Sequence, residues 1–205
     1  MQRRFTLISP KKKYLIDSNT YFRLGDNLCP LFPKIITLGK ESFCACILGG
    51  TFQEYLYQPR LQSKFDWVFN TRHVADRKQG KLRIQKHEAS SIKGKKEFVY
   101  EGSKDMGLGC SPFDVECLVT AMEKKLALVT DDLDLVRLAK EYDCPVLSSI
   151  QLLGLLYESS QISKQDIVDT IDIWIWLEDV PSQWQKDYAS VFGEKYPPTM
   201  KGDSD

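Results

Sequence analysis

Residues 126–148, LALVTDDLDLVRLAKEYDCPVLS, hold the pattern on which the fold turns. A short apolar run, Leu126 to Val129, ends in Thr130, and three carboxylates follow within four positions: Asp131, Asp132 and Asp134. Leu135, Leu138, Ala139 and Tyr142 then recur at helical spacing, and Pro145-Val146-Leu147 opens a second apolar run. Apolar run, polar turn, amphipathic helix and apolar run predict a βαβ unit, hence an α/β fold around a central parallel sheet. Ligands of open parallel sheets sit beyond the carboxyl ends of the strands, where Asp131 and Asp132 fall.

Working upstream, Ser111-Pro112-Phe113-Asp114 reads as a helix start, with Ser as cap, Pro in the first position and Asp in the first turn. Val115, Leu118, Val119 and Met122 mark that helix's buried face. Residues 71–104, TRHVADRKQGKLRIQKHEASSIKGKKEFVYEGSK, alternate charges with single apolar residues and are expected to form an inserted loop or short hairpin. Ser42 to Leu48 reads as a buried strand, Gly49-Gly50 as its turn, and Thr51 to Glu54 as the start of a helix. Tyr14 to Asp17 is a first strand ending on an acid, followed by the polar turn Asp17-Ser18-Asn19-Thr20. Downstream, Leu152, Leu153, Leu156, Ile167, Ile171 and Trp174 predict a helical C-terminal extension over residues 151–205, with a disordered polar tail beyond Pro198. The expected organisation is one domain over residues 1–150, carrying the 71–104 insertion, and that extension.

The 205 residues carry 28 basic and 28 acidic side chains, a neutral total that hides a segregation. Residues 1–70 hold 10 basic and 5 acidic side chains, residues 71–104 hold 10 and 4, and the remainder hold 8 and 19. A basic middle invites a polyanionic partner, although charge runs also serve as solvated faces. Six cysteines show no CxxC pair and sit mostly in apolar patterns, so they are expected to be reduced buried thiols. The N-terminus lacks an apolar leader core, and no run is long enough to span a membrane, which predicts a cytoplasmic protein without a membrane partner.

Acids at four places carry the chemistry: Asp17, Glu54, Asp114 and Asp132 with its neighbours. Each has a structural explanation of its own. Asp17 caps the next helix, Glu54 completes a T-x-x-E box with Thr51, Asp114 lies in a helical first turn, and Asp131 or Asp132 caps the helix near Leu133. In a parallel sheet, however, strand ends and helix N-termini converge on one edge. Carboxylates crowded there repel each other unless a divalent cation neutralises them, and such oxygen ligands suit Mg²⁺ or Mn²⁺.

In their order along the chain, Asp17-x-Asn19, Gly49-Gly50-Thr51-x-x-Glu54-Tyr55, the Asp114 to Ala121 helix and Leu128-Val-Thr-Asp-Asp132-Leu-Asp-Leu135 resemble the PIN-domain nucleases, the class of VapC-like ribonucleases. The resemblance covers about residues 13 to 148, interrupted by the insertion. It implies a PIN-like three-layer fold and a metal-dependent endoribonuclease, a phosphodiester hydrolase, as in the toxin of a toxin–antitoxin or defence system. By position, Asp17 and Asp114 would be metal ligands and Glu54 a ligand or a water-orienting base. Asp132 would complete the site, with Asp131 competing for that place because the spacing admits either. Asn19 and Thr130 would be hydrogen-bonding partners of the ligands. The 71–104 insertion departs from the compact members of that class. Its basic charge would let Arg72, Arg77, Lys78, Lys81, Arg83 and Lys86 contact RNA phosphates, or it would be a solvated loop or would dock an antitoxin or other protein inhibitor. Trp174, Trp176 and Trp184 are read as core or homodimer contacts.

Other readings lack their residues. Asp17-Ser18-Asn19 misses the second acid of a haloacid-dehalogenase phosphatase, and no acidic pair near the first strand marks a receiver domain. No GxxxxGK[ST] or GxGxxG loop is present. The alternative from another class is a catalytically inactive PIN-like module that binds RNA or a protein partner.

Overall fold

The computed structural model describes residues 12–26, 28, 31–37, 43–51 and 53–196, and only the backbone of residues 12, 37, 43, 44, 53 and 54. The expected disorder beyond Pro198 lies outside the described residues. Two compact units divide the chain, Met1–Leu147 and Ser148–Asp205.

The first unit runs β1 (Lys12–Ile16), α1 (Ser18–Gly25), α2 (Phe32–Thr37), β2 (Phe43–Cys46), α3 (Gln53–Tyr57), α4 (Pro59–Lys64), a 3-10 turn (Asp66–Phe69), α5 (Thr71–Gly80), α6 (Lys86–Asp105), α7 (Pro112–Lys124), β3 (Ala127–Val129), α8 (Leu133–Glu141) and β4 (Val146–Leu147). It is an α/β fold whose described strands form one all-parallel sheet in the order β2-β1-β3-β4. The quoted stretch is the βαβ unit β3–α8–β4, with Leu128 opposite Val146 and Val129 opposite Leu147. Because side chains alternate along a strand, Leu15 and Leu128 face a core with Val115, Leu118, Leu135 and Leu138 from the helices. Tyr14, Ile16, Ala45 and Val129 point the other way and are equally buried, so both faces of the sheet are covered.

Local signals explain the helices that flank the site. Ser111 and Asp114 cap α7 reciprocally, each side chain accepting from the other's backbone N–H, and Pro112 occupies a position whose missing N–H costs nothing. Lys125 ends that helix in the left-handed region, at φ 53°. In α8, Leu135, Leu138 and Ala139 turn inward, and Asp132 caps the start.

The 71–104 segment corrects the expectation of a loop or hairpin: it forms α5 and the 20-residue α6. Only Ile92, Val99 and Ser103 of α6 are buried, spaced seven and four apart on one stripe. The polar flanks of that stripe are tied to α7 and its partners. Lys95 Nζ meets Glu123 at 2.6 Å, Lys96 meets Glu116 at 2.6 Å, and Lys124 meets Glu88 at 2.7 Å. Between the two helices, the chain pairs with the end of β2: Ile47 N–H donates to Gly80 O, and Leu82 N–H donates to Ile47 O.

The second unit holds α9 (Ser149–Glu158), α10 (Lys164–Trp176) and α11 (Trp184–Phe192). Helices α9 and α11 pack so closely that a Cβ on Gly154 would stand 2.3 Å from Val191 Cγ1. Trp174 is buried, Trp176 is 74% exposed, and Trp184 packs edge-on against Tyr196. Lys164 lies over the Phe192 ring and pairs with Glu194 at 2.9 Å. Among the described residues no helix is long and apolar enough to cross a membrane. Cys46, Cys110, Cys117 and Cys144 are buried free thiols, and the side chains of Cys29 and Cys44 lie outside the described residues.

Candidate active site at the carboxyl end of the sheet

Strands β1 and β3 are neighbours, with Ile16 opposite Val129, so the residues that follow them, Asp17 and Thr130, emerge side by side. Asp17 is 2% exposed. Its Oδ1 accepts from Thr20 N–H at 2.7 Å, the cap of α1, and its Oδ2 accepts from the Thr130 hydroxyl at 2.5 Å. Thr130 Oγ1 in turn accepts from Asp132 N–H at 3.1 Å, and Asp132 Oδ1 accepts from Asp134 N–H and Leu135 N–H. A hydrogen-bonded chain thus runs Asp17–Thr130–Asp132 across the two central strands.

Asp114 joins from the first turn of α7. Its Oδ2 accepts from Ser111 N–H at 2.8 Å. Burial pushes its carboxyl above the usual carboxylate range, against the Ser111 hydrogen bonds, and the nearby charge of Asp132 adds to the rise. For Asp17, burial is again the main cause and outweighs the bonds from Thr130 and Thr20. The charge of Asp131 pushes the same way, and the carboxyl titrates at about 6 instead of 3.8. Cys110 lies among the acids: burial first, then Asp114, Asp132 and Asp134, push its thiol up to about 12, so it stays protonated and is no nucleophile.

Asp131 differs from its neighbour. Its Oδ2 meets Arg23 Nη1 at 2.8 Å, with the two side chains 5% and 13% exposed. Arg23, from α1, was not singled out by the sequence, where nothing marks a cation six positions after Asp17 as the partner of an acid 108 positions further on. Asn19 is exposed on α1 and makes no side-chain hydrogen bond among the described residues. The side chain of Glu54 lies outside the described residues; its backbone belongs to α3. Thr51 donates its hydroxyl to Leu48 O.

The basic set divides. Arg72, Lys78, Lys81, Arg83 and Lys86 are exposed. Arg77 is a correction: it is 8% exposed, and its Nη1 donates to Val68 O at 2.5 Å and to the Tyr21 hydroxyl at 3.3 Å. A guanidinium held this way braces the chain between the 3-10 turn and α1 and cannot reach a phosphate.

The donor set agrees in kind with a hard divalent cation: carboxylate oxygens, one of them buried in Asp17 with no Lys or Arg partner among the described residues. As placed, however, no three His, Cys, Asp or Glu side chains among the described residues form a group able to hold a metal ion. Compared with family models, curated proteins and solved structures, the chain matches none.

Proposed function

We propose that the chain is a metal-dependent endoribonuclease of PIN-like fold, hydrolysing RNA phosphodiester bonds at the carboxyl end of its sheet. Asp17, buried, without a Lys or Arg partner among the described residues and tied through Thr130 to Asp132, is the observation that supports this reading most. A carboxylate taken out of water without a counter-charge is costly, and near neutral pH it needs either a proton or a cation. Asp17, Asp114 and Asp132 would hold Mg²⁺ or Mn²⁺, with Glu54 as a further ligand. The ion would supply charge for the attacked phosphate and lower the pKa of a bound water. The protein's own groups do the positioning. Thr130 fixes the rotamer of Asp17, the N–H groups at the start of α8 fix that of Asp132, and Ser111 fixes that of Asp114. In this role the protein would act as the toxin of a toxin–antitoxin or defence pair, with a protein inhibitor as partner.

The test is cleavage of single-stranded RNA by the full chain with Mn²⁺ or with EDTA, for the native sequence, Asp17→Asn and Asp114→Asn. The expectation is cleavage in Mn²⁺ only and a loss of about a hundredfold or more in either variant. Cleavage in EDTA, or cleavage unchanged by both substitutions, would refute the reading.

One observation favours a second reading, a catalytically inactive RNA- or protein-binding module: Arg23 already places a fixed cation on Asp131. Such a module would bind RNA equally well with and without Mg²⁺ and would cut it in neither condition.

A further inference from the structure

At the opposite end of the sheet, where β1, β3 and β4 begin, lie two cavities of about 740 and 360 Å³. Lys13, Lys124 and Leu126 line both, so the two adjoin. Met122, Leu126, Ala127, Tyr142 and Pro145 give the larger an apolar floor, and Lys95 and Lys125 stand with the shared lysines around it. Lys81 and Arg83 add their charges to the smaller. Among the described residues, Asp143 is the single acid of either lining.

Two of these six cations are neutralised, Lys95 by Glu123 and Lys124 by Glu88. Lys13, Lys81, Arg83 and Lys125 are exposed and have no acidic partner among the described residues. The carboxyl-terminal dipole of α7 accounts for a cation at Lys124 or Lys125. It does not account for Lys13 on a strand or for Lys81 and Arg83 on the segment between α5 and α6. Unpaired cations gathered around a concave volume repel one another and favour an anion between them. The larger volume is in the range of small-ligand pockets, and its floor is apolar and aromatic where an ion alone would need neither.

We infer that the joined cavities bind a nucleoside polyphosphate, its base and sugar over the floor near Tyr142 and Leu126 and its phosphates against Lys13, Lys81 and Arg83. This site is separate from the acids at the other end of the sheet and does not depend on the nuclease reading.

The test is calorimetric titration of the full chain in EDTA with ATP, GTP, adenosine and inorganic triphosphate. A nucleoside triphosphate is expected to saturate one site and to bind about tenfold or more tightly than adenosine or inorganic triphosphate. Lys13→Gln combined with Arg83→Gln should weaken it by a further tenfold or so, as expected for lost charge-assisted contacts, with an unchanged melting temperature. Lys93→Gln, an exposed cation of α6 outside both linings, should leave the affinity unaltered. Absence of saturation at millimolar nucleotide, or equal affinity for inorganic triphosphate, overturns the inference. So does a single-stranded decanucleotide that binds while ATP neither binds nor competes, since that result makes the groove a nucleic-acid track.

Discussion

The Thr130 hydroxyl donates a hydrogen bond to Asp17 Oδ2 across 113 positions of sequence, and this 2.5 Å bond joins the ends of the two central strands. Thr130 is itself buried, so a valine of nearly the same shape would leave Asp17 Oδ2 and Asp132 N–H without their partner. Thr130→Val should cost about 1–3 kcal/mol in urea unfolding. In the cleavage assay it should lower the rate while leaving RNA affinity in place. A variant as stable as the native chain would mean that water replaces the hydroxyl and that the chain of bonds carries no strain.

Asp17 sets a pH dependence. Its folded-state carboxyl titrates at about 6 and its ordinary value is 3.8, so between these values the folded protein holds a proton that the unfolded chain has released. Stability therefore falls as pH rises from about 4 to about 6 and stays lower above it. Measured in EDTA, Asp17→Asn should remove that decline and gain on the order of 1–3 kcal/mol at pH 7–8, with little gain at pH 4. Parallel stability curves for the two proteins would show that Asp17 ionises normally.

Arg23 and Asp131 form a nearly buried pair, and removing one partner strands the other. Asp131→Asn should cost about 3 kcal/mol, whereas Arg23→Met with Asp131→Leu should recover most of that loss. The same substitutions separate the two neighbouring acids: Asp132→Asn should abolish metal-dependent cleavage and Asp131→Asn should not. Equal kinetic losses at both positions would place Asp131 in the ligand set as well.

Arg77 and its exposed neighbours should behave in opposite ways. Arg77→Met leaves Val68 O without its donor and should lower stability by about 1–3 kcal/mol. Lys78→Gln and Lys86→Gln should leave stability within about 0.5 kcal/mol and reduce the salt dependence of any RNA binding. An Arg77 variant that folds normally but loses RNA would reverse the assignment.

Helix α6 is held to the core by few side chains, so each counts. Ile92→Ala should cost about 2–5 kcal/mol, an effect no surface loop would show. Hydrogen exchange over residues 86–105 should be protected in the native chain and accelerated in the variant.

The parts legible in sequence were those written in local periodicity. The Ser111-Pro112 helix start depends on residues within one helical turn, and the β3–α8–β4 pattern is read within one continuous stretch, Ala127 to Leu147. Placing Asp17 and Asp132 at one sheet end followed from parallel topology alone. What escaped was stabilised at a distance. The α6 helix buries two apolar residues, Ile92 and Val99, seven apart, and the acids that anchor it, Glu116 and Glu123, come later in the chain. Arg77 read as a surface cation because the carbonyl and the tyrosine hydroxyl that accept its hydrogen bonds leave no trace in composition. Arg23 pairs across 108 positions, beyond any spacing rule.

The short parallel bridge between Ile47 and Lys81 has a consequence for any shortened form of this chain. Strand β2 is the outermost of the described strands on its side, and an uncovered border of that kind offers main-chain donors and acceptors to any other molecule. Gly80 and Leu82 occupy those groups at Ile47. A form lacking residues 71–104 would therefore bare those groups and be prone to stick to its own copies, so that the short segment joining α5 to α6 would act as a guard against self-association.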